Sequence, residues 1–144
     1  MDVRGRRINL VELGDGPPLV FIHGLGGCWQ NWLPNTPAAA RQHRVIALDL
    51  PGFGASQMPR DAISIPAYAA TITAICCELG IPAATVVGNS MGGLVAAELA
   101  IGYPGLVERL VLVDAAGLST EQLHLRSLST LDRGVRLLRR TSAT

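Results

Sequence analysis

The feature that most constrains this chain lies around residue 90. Ala84-Thr85-Val86-Val87 has the β-branched, apolar character of a buried strand and runs directly into Gly88-Asn89-Ser90-Met91-Gly92. From Met91 to Ile101 the residues are mostly small and apolar, as in a buried helix, until Gly102-Tyr103-Pro104 ends the run. A strand that passes into a helix without a linker must bend sharply. Side chains at Gly88 and Gly92 would collide with neighbouring backbone in such a bend. The serine at its apex is strained, with its hydroxyl lifted clear of the sheet. The bend also sets Ser90 at a helix N-terminus, where free N–H groups and the helix dipole favour developing negative charge.

The rest of the chain extends this unit. Ile8 to Leu13 alternates like a half-buried strand, and Leu19 to Ile22 is a continuous apolar run typical of a strand buried on both faces. Gln30 to Arg41 reads as a helix interrupted by Pro34 and Pro37, and Arg44 to Leu48 as a strand. Ile65 to Leu79 reads as a helix, with Pro66 in its first turn and Gly80 at its end, and Arg109 to Val113 as another strand. Alternating strands and helices imply an α/β fold: a mostly parallel, twisted sheet with helices on both faces and right-handed crossovers. Residues 1–117 form this core. From about Leu118 the composition changes: Arg126, Arg133, Arg136, Arg139 and Arg140 fall among leucines, and Leu125, Leu128, Leu131 and Val135 fit one helical stripe.

Composition removes several function classes. With 12 Lys plus Arg against 11 Asp plus Glu, the net charge of +1 gives no general electrostatic reason to bind nucleic acid. No apolar run is long enough to span a bilayer, and Met1 to Arg7 lacks a signal-peptide pattern, so no membrane association and a cytoplasmic location are expected. Cys28, Cys76 and Cys77 have neither zinc-site nor CxxC spacing and read as reduced core thiols; no metal is expected.

A second motif follows the buried strand: His23-Gly24-Leu25-Gly26-Gly27. A loop here can present a backbone N–H toward Ser90. Donors from Leu25 and Met91 would then form an oxyanion hole, in which one donor is worth about 3 kcal/mol of transition-state stabilisation. Trp29 and Trp32 either line a pocket below this loop or pack the core, and His43 reads as a solvated surface histidine.

Together with Asp49-Leu50-Pro51-Gly52-Phe53-Gly54-Ala55-Ser56 and Tyr103-Pro104, these motifs make the segment from Val20 to Gly117 resemble the α/β-hydrolase family. The resemblance implies Ser90 as nucleophile, Leu25 and Met91 as backbone oxyanion donors, and a small-molecule substrate, with no cofactor. It implies that His23 shapes the site rather than serving as the base, that Gly24 belongs to the same loop, and that Asp49 shapes a loop. Asn89 beside the serine, with Met91-Gly92-Gly93 after it, is similar to the carbon–carbon bond hydrolases of aromatic ring cleavage; esterases and lactonases share much of the pattern.

Serine needs a base, and the base needs an acid to orient it. In this family they follow in the order serine, acid, histidine. Asp114 and His124 satisfy that order, but the family's histidine follows a later strand. The expectation is therefore a truncated α/β-hydrolase fold lacking its C-terminal strands, with residues 118–144 as the start of a cap or lid, or a frayed tail. Its Arg109–Val113 strand would be an open edge inviting a second copy or a partner. The chain then reads either as a family hydrolase acting on esters, thioesters, lactones or C–C bonds, inactive in this form, or as a non-catalytic binding or assembly module.

Overall fold

The computed structural model describes residues 1–117 and the backbone of 136–138. A small ribbon, β1 (Asp2–Val3) and β2 (Arg6–Arg7), precedes a sheet built from β3 (Leu10–Leu13), β4 (Pro18–Ile22), β5 (Arg44–Leu48), β6 (Ala84–Asn89), β7 (Val107–Val113) and β8 (Arg136–Leu138). The sheet order is β3-β5-β4-β6-β7-β8. Only β3 runs antiparallel, against β5; the other neighbours are parallel.

Side-chain alternation along the inner strands sorts the core onto two faces. Val20, Ile22, Ile46, Leu48 and Val86 pack under helices α2 (Ile65–Glu78) and α3 (Met91–Gly102). Leu19, Phe21, Val45, Ala47 and Val87 face the other way, beneath Trp32. Burying each of the Val, Leu, Ile and Phe side chains among these contributes roughly 1.5–3 kcal/mol before conformational entropy is set against it. Helix α2 starts where the Ser64 hydroxyl accepts the Ala67 N–H at 3.2 Å, and ends at Gly80, whose φ of +66° suits glycine.

The segment expected to be an interrupted helix, 30–41, is broken further than that. It forms a 3₁₀ turn over Trp29–Trp32 and one helical turn, α1 (Thr36–Ala39). Pro34 removes a backbone donor between the two pieces, while Pro37 sits in the first turn of α1, where its missing N–H costs no helical bond. The edge of β7 also differs from expectation. β8 pairs in parallel with Arg109, Leu110 and Val111, so the edge read as open to a partner is occupied over that stretch. Arg136 accordingly lies in a strand; the residues of the expected helical stripe, Leu125, Leu128, Leu131 and Val135, lie outside the described residues. The cysteines are not uniformly core: Cys76 is buried and its thiol is pushed up to about 11 by burial, while Cys77 is exposed and Cys28 half-buried.

The chain goes from β4 to β5 on one side of the sheet, then crosses back over β4 to β6 on the other. At such a switch point the loops leaving β4 and β6 part, opening a crevice at the carboxyl ends of the strands.

Candidate functional site

Ser90 stands in that crevice, between β6 and α3. Its φ of +52° is a left-handed conformation rarely adopted by a non-glycine residue. The glycines around it permit the bend. A Cβ at Gly88 would collide with the Gly92 carbonyl, one at Gly92 with the carbonyl oxygens of Ile22 and His23, and one at Gly93 with the Ala115 side chain. The bend is fastened to the end of β7: the Ser90 N–H donates to the Val113 carbonyl at 3.0 Å, and the Ala116 N–H donates to the Ser90 carbonyl at 3.0 Å. Asn89 Nδ2 donates to the same Val113 carbonyl at 3.2 Å.

The glycine-rich loop lies against this bend. A Cβ at Gly24 would sit 3.1 Å from Ser90 Cβ and 3.3 Å from Asn89 Oδ1, so Gly24 admits the close approach. Residues 23–27, Trp32, Asn89 and Val113 line an open pocket of about 440 Å³ beside it. Among the described residues, neither the Met91 N–H nor the Leu25 N–H has a hydrogen-bond partner, and the Ser90 hydroxyl has none either. Trp32 combines both roles left open by the sequence: it stacks on Phe21 at 4.5 Å between ring centroids and also lines the pocket.

His23 is fully buried. Its Nδ1 lies 2.7 Å from the Gly24 carbonyl and its Nε2 accepts the Leu50 N–H at 2.9 Å. Those two bonds require a neutral ring with the proton on Nδ1. Burial lowers its pKa from 6.5, against smaller raising effects of the Gly24 carbonyl and the Asp49 charge. Both ring nitrogens are thus committed to backbone.

Asp49 is buried too, and its carboxylate gathers three donors: the Trp29 N–H at 2.7 Å, the Ala55 N–H at 2.9 Å and Asn9 Nδ2 at 2.8 Å. Its carbonyl accepts the Ser56 hydroxyl at 2.7 Å. Nothing in the sequence spacing revealed Asn9 as a partner, because its approach is made by the antiparallel β3. Asp114 is exposed at the end of β7, with a φ of +43° and no side-chain hydrogen bond among the described residues. His124 lies outside the described residues. His43 is half-buried rather than solvated, with its Nδ1 unpartnered among the described residues, and it precedes β5, at the opposite end of the strands from Ser90.

A mostly parallel α/β sheet whose switch point holds a serine-bearing strand–bend–helix against a glycine-rich loop is the framework of an α/β hydrolase. The chain belongs to that family: its match to the alpha/beta hydrolase fold runs over residues 17–136. It is 43% identical over 119 residues to the dihydrolipoyllysine-residue acetyltransferase component of the acetoin cleaving system of Pseudomonas putida, covering 81% of this chain and 32% of that protein. It is also 43% identical over 119 residues to 2-hydroxymuconate semialdehyde hydrolase of Pseudomonas sp. strain CF600, covering 80% of this chain and 42% of that protein. Among solved structures, a meta-cleavage product hydrolase from Pseudomonas fluorescens IP01 superposes with a TM-score of 0.76 at 36% identity, covering 80% of this chain and 44% of that one. The chain spans 32% and 42% of the length of these two curated relatives. Among the described residues, no helix is long and apolar enough to cross a membrane.

Proposed function

We propose that this chain carries the nucleophile and the oxyanion donors of a serine hydrolase acting on a small molecule with a reactive carbonyl: an ester, thioester, lactone or vinylogous diketone. The observation that carries this reading is the left-handed Ser90 backbone at a strand-to-helix junction, with Gly24 packed against it. Ser90 Oγ attacks the carbonyl carbon and gives its proton to a base. The carbonyl oxygen becomes an oxyanion held by the N–H groups of Met91 and Leu25. Collapse of the adduct expels the leaving group, and water releases the acyl group from the serine. With a vinylogous diketone, Ser90 instead supports hydration of the carbonyl. His23, Gly24 and Asn89 shape the site, and no cofactor is needed. The hydrolase names among the relatives support the reaction class. Three unpaired cysteines support a cytoplasmic location.

No base for Ser90 stands among the described residues, since His23 is committed and His43 is remote. We therefore read this chain by itself as lacking turnover, with Asp114 as a loop carboxylate rather than the acid of a triad with Ser90 and His124.

An alkyl fluorophosphonate, followed by intact mass and peptide mapping beside Ser90→Ala, tests both parts. The expected result is slow, single labelling confined to Ser90, since donors without a base retain roughly 10³–10⁴-fold over water. Rapid stoichiometric labelling would show that a base is present and overturn the inactive reading. Labelling that ignores Ser90 would overturn the nucleophile assignment.

A further inference from the structure

We propose that Asp114 is a positioning residue for Ser90 and that it acts through its backbone conformation, not its carboxylate. The inference rests on Ser90 being the nucleophile, as proposed above. Among the described residues three that are not glycine have a positive φ: Arg4, in the exposed turn between β1 and β2, and the pair Ser90 and Asp114. The pair is joined directly. The Val113 carbonyl, just before Asp114, accepts the Ser90 N–H at 3.0 Å, and the Ala116 N–H, just after it, donates to the Ser90 carbonyl at 3.0 Å. The Ser90 residue is thus gripped at its N–H and at its C=O by one short turn.

That grip needs a chain reversal between Val113 and Ala116, and the φ of +43° at Asp114 is part of it. Two further contacts draw on the same turn. Asn89 Nδ2 shares the Val113 carbonyl at 3.2 Å, and the Ala115 side chain fills the space that the missing Cβ of Gly93 leaves. The turn therefore holds the residue before the serine, the serine itself and the first turn of α3. The Asp114 carboxylate is exposed and bonds nothing among the described residues. Asp and Asn tolerate the left-handed region better than other L-residues, Gly better still, and β-branched residues worst. What the site requires at 114 is thus a residue that accepts this backbone.

The test compares Asp114→Asn, Asp114→Gly and Asp114→Val in the whole chain, reading the rate of Ser90 phosphonylation across pH and the amide exchange of Ser90 and Ala116. Asp114→Asn and Asp114→Gly should label within about two-fold of the parent, with the same pH profile, because both accept a left-handed φ. Asp114→Val should label at least about ten-fold more slowly, since small displacements of a reacting group are costly, and should exchange both amides faster. A ten-fold loss in Asp114→Asn, with an altered pH profile, would assign the role to the carboxylate and overturn the proposal. Unchanged labelling and exchange in a folded Asp114→Val would overturn it equally. If Asp114→Val does not fold, the Asn and Gly variants still decide. Failure of the parent chain to label at Ser90 would sink the proposed function instead, while the two amides would still report on the turn.

Discussion

The Asp49 carboxylate and the His23 ring have all their polar atoms partnered; at Ser90, among the described residues, the hydroxyl has none. The Asp49 carboxylate takes three donors and the His23 ring bridges the Gly24 carbonyl and the Leu50 N–H, with both side chains buried. Such groups hold loops and have no capacity left for a substrate. The serine region uses its hydrogen bonds to fix the Ser90 peptide and the Asn89 side chain to the end of β7, while among the described residues the Ser90 hydroxyl and the N–H groups of Met91 and Leu25 have no partner. A histidine and an aspartate whose polar atoms are all committed to neighbouring groups are not placed to act as the base and acid of a triad.

The contrast is broken most severely at Gly92. Gly92→Ala drives a methyl into two backbone carbonyls of the neighbouring loop, which cannot move aside cheaply. A loss of about 3 kcal/mol or more is expected in urea melts, with loss of Ser90 labelling. The need for small residues here was legible in the sequence, because a strand and a helix meeting without a linker leave no room for side chains. The partners of Asp49 were not. They come from the amino-terminal segment, the 3₁₀ turn and the loop after β5, and only the folded sheet brings them together.

Asp49→Ala should come next, at about 2–4 kcal/mol, because it leaves three part-buried N–H donors without their acceptor. Unlike Gly92→Ala, it should leave the residual labelling of Ser90 measurable wherever the chain is folded. A larger effect on labelling than on stability would contradict its place in the scaffold.

His23 sharpens the comparison through pH. Its pKa in the fold lies below the ordinary 6.5, chiefly because burial disfavours the charged ring. Below 6.5 the unfolded chain takes up a proton that the folded chain resists, so stability should fall from there down to the depressed folded value and then level off. Denaturant midpoints measured against pH should show this slope, and His23→Gln should flatten it. An unchanged slope in the variant would mean that His23 is not held neutral.

The smallest effect has the opposite sign. Ser90→Gly relieves the left-handed φ and should stabilise the chain by about 1 kcal/mol while abolishing labelling. Strain at that residue was legible in residue order, because a strand passing straight into a helix forces it, whereas the left-handed turn at Asp114 was not. The short β1–β2 ribbon has too few residues to show a period, and Arg136 to Leu138, which pairs with β7, follows a segment whose leucine spacing suits a helix, so neither reads as a strand in the sequence.

The most direct test of the open-site claim is a crystal structure of the chain phosphonylated at Ser90. One phosphonyl oxygen should lie about 2.7–3.1 Å from both the Leu25 and the Met91 amide nitrogens. An oxygen turned to solvent, or held by a side chain instead of those two amides, would contradict the assignment of this crevice to carbonyl chemistry.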